Sequence, residues 1–256
     1  MTATDSRETI RIGVFIPAGC QLLDMACVDV LGTMSHEYFT VVADMVPGPI
    51  AKLAPSVKIS YISTVQPGEL IPLTSSAHIA CTHHLSDPTV QPGGLDVVLV
   101  PGPDPATDFG KMPEATDWLA AHAARPETDI LSVCTGIYLC GAAGLLKGKR
   151  ACGPRGLQRD LAAKFEGVEW VGEELRWVKD GNFWSCGGVT NGNDLVAAYA
   201  RTSGRFAGPV AELAIVMTDV GDRPQRYSKG QTAFGLGIIW QILKAFFMRA
   251  GKKKLA

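Results

Sequence analysis

Residues 129–144 read DILSVCTGIYLCGAAG. Asp129–Val133 reads as a short strand buried on both faces of a parallel sheet. It passes directly into Cys134, and the small residues that follow open a helix expected over Gly136–Leu146, with Gly148 as its C-cap. A strand that turns at once into a helix has the form of a nucleophile elbow, in which a tight turn lifts one reactive side chain to the sheet edge. Free N–H groups at the new helix end would favour the thiolate of Cys134. Gly136, Gly141 and Gly144 would let the helix lie close to the sheet, and Cys140, inside the helix, reads as a small core residue.

Working outward, Asp96–Val100 (DVVLV) is a second buried strand, ended by Pro101-Gly102-Pro103, and Arg11–Ile16 (RIGVFI) a third, ended by Pro17. Helices are expected over Gln21–Met34, Glu114–Ala124, Leu157–Phe165, Asn193–Arg201 and Val210–Val216. Tyr38–Val46 reads as a strand. The stretch from Pro47 to Pro92 is irregular, with a hairpin expected around Lys58–Thr64 and a strand around His78–Thr82. Glu169–Cys186 reads as a hairpin turning at Lys179–Asn182. The alternation predicts an α/β three-layer sandwich: a mostly parallel sheet with helices on both faces, flavodoxin-like. Ligands in such sheets bind at the carboxyl ends of the strands, where Asp24 and Cys134 fall.

Asp24 stands among Leu22, Leu23 and Met25, which points to partial burial and a raised pKa, although a first-turn carboxylate also serves simply to complement a helix. A thiol and a carboxyl in contact work only by sharing a proton, so protonated Asp24 could hydrogen-bond the Cys134 thiolate and deliver a proton to substrate. Asp104 and Asp108, just past a strand end, read equally as site lining or solvated turn. Thr190 and Asn191 read as helix caps, Asp194 as a first-turn carboxylate, and Trp177 and Trp184 as packing.

The 24 Lys and Arg against 25 Asp and Glu argue against a nucleic-acid binder, and 46% hydrophobic residues exclude disorder. No apolar run reaches the roughly 20 residues that span a bilayer, and MTATDSRETI lacks the apolar core of a signal peptide. Seven cysteines without a CxxC pair fit a reducing, cytoplasmic compartment. The five histidines are scattered, and no metal site is expected.

These residues resemble the ThiJ/PfpI superfamily, with its class I glutamine amidotransferase-like fold, and within it the isonitrile hydratase branch. The resemblance rests on RIGVFIPAGCQLLD, LDVVLVPG, SVCTGIYLCGAAGLLKGKRA and VKDGNFWSCGGVTNGNDL, over about residues 10–218. It implies a nucleophile at Cys134, an acid/base carboxyl at Asp24, a backbone N–H of Thr135 facing the reacting centre, no cofactor and a homodimer. It further implies a small-molecule substrate with an electrophilic carbon, an isonitrile first and a 2-oxoaldehyde second; a redox sensor acting through Cys134 is the non-enzymatic alternative. Two departures stand out. Pro154 occupies the position where the family often carries a histidine. Pro103 replaces a glycine whose N–H would meet an oxyanion, leaving Gly102 or Asp104 as donor, or Thr135 alone.

The ThiJ/PfpI-like domain is expected over residues 1–220 and an extension over 221–256. Within the extension, Phe234–Met248 is apolar nearly all round and turns basic at Lys252–Lys254. It is too short to span a bilayer. Packing across a dimer is the favoured expectation, and a membrane-interface anchor the less favoured one. The extension is also too short for a helix-turn-helix pair.

Overall fold

The computed structural model describes residues 7–253. The strands are β1 (Thr9–Phe15), β2 (Ser56–Ser63), β3 (Leu70–Pro72), β4 (His78–Ala80), β5 (His83–His84), β6 (Val97–Val100), β7 (Asp129–Ser132), β8 (Arg150–Ala151), β9 (Glu169–Trp170), β10 (Trp177–Asp180) and β11 (Phe183–Cys186). The helices are α1 (Ala26–Thr33), α2 (His36–Val41), α3 (Gly48–Ala51), α4 (Pro113–Ala123), α5 (Gly136–Ala142), α6 (Gln158–Lys164), α7 (Asn191–Thr202), α8 (Gly208–Thr218) and α9 (Gln231–Lys253).

Seven strands form one sheet in the order β10-β11-β7-β6-β1-β2-β5. Every pairing is parallel except β10 with β11, an antiparallel hairpin at the edge. Alternate residues of the central strands feed two separate cores. Ile12, Val14, Leu99 and Leu131 pack with Leu31, Leu195, Tyr199 and Ala214 from α1, α7 and α8. Val98, Val100 and Ile130 pack on the other face with Leu119, Ile137 and Leu161 from α4, α5 and α6. Each fully buried aliphatic side chain contributes roughly 2 kcal/mol, so residues apolar at every position commit a strand to the middle of three layers. This is the α/β sandwich that the alternation predicts.

Three local expectations fail. Tyr38–Val46 is not a strand: α2 and a 3-10 turn at Ala43–Met45 occupy it. Ser35 caps α2 by accepting the Tyr38 N–H at 3.0 Å, and Val41 is left 82% exposed, so the β-branched residues have no sheet to join. Lys58–Thr64 is not a hairpin; β2 runs parallel to β1 over that strand's whole length, because both strands bury the same apolar rows. The helix after Cys134 ends at Ala142, not Leu146. Gly144, at φ +78°, closes it with the paired bonds Gly144 N to Gly141 O and Leu145 N to Cys140 O, both 3.0 Å. Of the three glycines expected to ease contact with the sheet, only Gly136 does so: a Cβ there would stand 2.3 Å from Val100 O. Gly141 faces the Phe165 ring instead, and Gly144 faces open space.

The chain after α8 folds back before it leaves. Arg176 N donates to Gln225 O at 2.7 Å and Tyr227 N to Glu174 O at 2.8 Å. Arg223 pairs with the buried carboxylate of Asp194 at 2.5 Å, so Asp194 is more than a first-turn residue. Among the described residues no helix is long and apolar enough to cross a membrane.

Candidate functional site

Val133 still belongs to the sheet ladder, donating to Val100 O at 2.9 Å. Gly136 N then reaches back to Val133 O at 2.9 Å, and the turn this closes holds Cys134 at φ +55°. A non-glycine residue there carries backbone strain, of order 1–3 kcal/mol, that persists only when its surroundings impose it. The elbow predicted from the sequence is present. Thr135 is pinned beside it, its hydroxyl donating to Pro103 O at 2.6 Å.

A cavity of about 530 Å³ opens over this turn. Cys134 and Thr135 form one wall, Gly102–Pro105 a second, and Ala18–Gln21 with Pro72–Thr74 the third. The last wall is the β3–β4 excursion, tied down by Cys20 N to Pro72 O (3.3 Å), Thr74 N to Cys20 O (3.1 Å) and Leu22 N to Thr74 Oγ1 (2.9 Å). No Lys, Arg or His is among its lining residues, and Asp104 is its one carboxylate.

Asp24 is fully buried, in the 3-10 turn Leu22–Met25 that precedes α1, and lies behind the cavity wall rather than on it. Its Oδ2 accepts the Gly102 N–H at 2.8 Å; its Oδ1 is buried without a hydrogen-bond partner. Burial pushes the carboxyl up to about 7, against the smaller opposing pull of the Gly102 N–H. Gly102 must be glycine here. A Cβ on it would stand 2.6 Å from Asp24 Oδ2, 2.5 Å from Thr135 Oγ1 and 2.9 Å from Thr135 N. The carboxyl and the elbow therefore converge on one point.

Burial raises the Cys134 thiol, and the Asp24 charge raises it further, while N–H groups of Val189 and Thr135 pull it down. Burial prevails, so the thiolate expected from a helix terminus is not the resting form. The seven-residue α5 does not outweigh desolvation at a sulfur only 7% exposed.

The other expectations divide. Thr135 stands where it was placed, its amide beside the sulfur. Gly102 lines the cavity, but its N–H is taken by Asp24 and cannot meet an oxyanion. Asp104 lines the mouth, yet its carboxylate caps its own turn by accepting the Ala106 N–H at 2.8 Å. Asp108 likewise caps a turn at Gly110. Asn191 is no cap: it donates to the Tyr227 hydroxyl at 2.6 Å, and Thr190 accepts from Arg223. Trp184 is buried and stacks on Trp177, as read. Sequence reasoning missed Cys20 as a wall residue; its position just after β1, at the same sheet edge as Cys134, was the available signal. Burial holds the Cys20 thiol at about 12. Also missed was Cys186, which sits on β11 beside the elbow, where β11 pairs with β7 through Ser185 and Ser132.

The sequence profile of the DJ-1/PfpI family matches residues 36–202. The chain belongs to the DJ-1/PfpI family. Cys134 lies inside the matched span of this DJ-1/PfpI protein and Asp24 outside it. The chain is 33% identical over 135 residues to an isonitrile hydratase of Pseudomonas putida, an alignment covering 52% of this chain and 55% of that protein. The chain thus matches little more than half of that relative's length. Among solved structures, a ThiJ/PfpI family protein from Pseudomonas syringae superposes with a TM-score of 0.63 at 22% identity, covering 95% of this chain and 89% of the other. A DJ-1 superfamily protein from Salmonella typhimurium gives 0.60 at 19% identity, covering 81% and 97%. These two likenesses bear on the DJ-1/PfpI fold alone.

Proposed function

We propose that this chain is a cysteine-dependent hydratase that converts an isonitrile to an N-substituted formamide, with Cys134 as nucleophile and Asp24 as proton carrier. The carrying observation is Cys134 in a left-handed elbow on the wall of a cavity, backed by a carboxyl that burial holds near 7. Likeness to the P. putida isonitrile hydratase supports the choice of substrate. A cavity lined without Lys, Arg or His suits a neutral ligand better than an anion.

The resting pair is a Cys134 thiol and an Asp24 carboxylate. Asp24 accepts the thiol proton as sulfur bonds to the terminal isonitrile carbon, then returns that proton to the same carbon, which gives a thioimidate. Water adds to the thioimidate carbon while Asp24 takes its proton. Asp24 passes that proton to the nitrogen, giving a tetrahedral adduct; as the C–S bond breaks, the adduct's hydroxyl proton goes by way of Asp24 to sulfur, and the formamide leaves with its N–H in place. Every atom is accounted for by substrate and one water, so the chemistry calls for no cofactor. The Thr135 N–H faces the reacting sulfur and Pro103 offers none, so the site has few fixed donors for an oxyanion. An isonitrile carbon never develops one in the first step. A 2-oxoaldehyde does, and it also needs a base to move a proton between neighbouring carbons, a task for which no imidazole lines the cavity.

The test is formamide appearance against lactate appearance from methylglyoxal under matched conditions. Isonitrile hydration should be at least tenfold faster, about 1.4 kcal/mol in barrier. Cys134→Ala should abolish it and Asp24→Asn remove most of it. Faster lactate formation, or full activity in Asp24→Asn, refutes the mechanism. A homodimer and a cytoplasmic location belong to the same proposal; the seven free cysteines support a reducing compartment.

A further inference from the structure

Helix α9 leaves the domain almost as soon as it begins. Gln231 donates to Arg155 O at 3.2 Å and the Arg155 guanidinium lies 5.2 Å from the Phe234 ring. Beyond that first turn the apolar side chains stand in the open. Leu236, Ile239, Trp240 and Leu243 recur at helical spacing on one face and are 45–60% exposed, while Ile238 and Ile242, 47% and 50% exposed, stand on the other side of the helix. A stripe this wide on a soluble helix needs a cover.

Charge selects the cover. From Lys229 to Ala256 the sequence holds six Lys and Arg and not one Asp or Glu, in a chain whose net charge is -1. A second copy of the helix would bring its own cations to the contact; an anionic surface would neutralise them. The Lys244 ammonium lies 5.4 Å from the centre of the Trp240 ring, at the edge of the apolar stripe. An aromatic ring paired with a snorkelling lysine is the arrangement that suits the headgroup level of a bilayer. Since no described helix is long and apolar enough to cross a membrane, the fit is to its surface.

We propose that α9 docks the protein on an anionic lipid bilayer, lying in the interface with its apolar stripe toward the acyl chains and its cations among the headgroup phosphates. The inference is independent of the chemistry at Cys134. The full-length chain is sedimented with phosphatidylcholine vesicles, with and without phosphatidylserine. Binding should appear with phosphatidylserine and weaken at least tenfold on neutral vesicles or at high salt. Lys244→Glu should weaken it, and the double variant Ile239→Asp, Leu243→Asp should abolish it while leaving the circular dichroism of the domain and the alkylation of Cys134 unchanged. No binding, or equal binding to both vesicle types, overturns the proposal. If the double variant instead halves the mass seen by sedimentation equilibrium, and vesicles capture nothing, the occupant is a second copy.

Discussion

Asp24 is fully buried and has a single hydrogen bond, from Gly102, to hold its charge. A carboxyl raised from its ordinary 3.8 to about 7 favours the folded state in its neutral form. Its contribution is complete below about pH 4, where both states are protonated, and is lost as pH rises through about 7. The loss is on the order of 4 kcal/mol. Asparagine cannot ionise, so the unfolding free energy of Asp24→Asn relative to the parent should shift in the variant's favour by about that amount between pH 4 and pH 8. Denaturant titrations at several pH values check this, and a difference that stays flat with pH refutes the burial argument. Activity should run the other way. With Asp24 acting first as base, turnover should rise as pH passes through about 7. The sequence hinted at this residue's burial through Leu22, Leu23 and Met25, but two of those three point outward: Leu22 and Leu23 are 42% and 52% exposed. The partner its carboxyl meets inside the fold is the Gly102 N–H, distant in sequence by 78 residues, which no pattern around Asp24 announces.

At the scale of elements, β6 was legible because every residue in it is apolar, the pattern of a strand covered on both faces, and β7 because its apolar pair Ile130-Leu131 runs straight into the turn at Cys134. The elbow followed from β7 because a buried strand meeting a Thr-Gly pair has to turn there. The segment Tyr38–Val46 reads as a strand because Val41 and Val42 favour strands, but the segment pairs with no strand of the sheet, whose outermost strands are β5 and β10. Its helical state rests on the Ser35 cap. Ser35→Ala should therefore destabilise the protein by about 1 kcal/mol, read from the midpoint of urea unfolding with the slope unchanged. No change in midpoint would mean that α2 is held by packing of Phe39 alone.

On the whole molecule, seven cysteines are distributed over one fold, and the fold ranks them. Burial holds Cys20, Cys140 and Cys152 at about 12 and pushes Cys27 and Cys186 well above the ordinary thiol range. Cys81 donates its thiol toward the carbonyls of Tyr61, Val65 and His83. Cys134 combines a milder rise, two N–H groups at its sulfur and a cavity in front of it. Limiting iodoacetamide followed by peptide mapping should label Cys134 first; earlier labelling of Cys20 or Cys152 refutes the elbow as a reactive site. The sequence alone determined the layered α/β class, the elbow at Cys134 and the apolar, cationic character of the last helix, because each is a local pattern of side chains along a few turns of chain. Tertiary structure alone decided that β2 joins the central sheet, that Gly102 gives its N–H to Asp24, that the β3–β4 excursion walls the cavity and that α9 stands clear of the domain. Each of those depends on which distant surfaces meet, and burial, which sets both pairing and pKa, exists only once they have met.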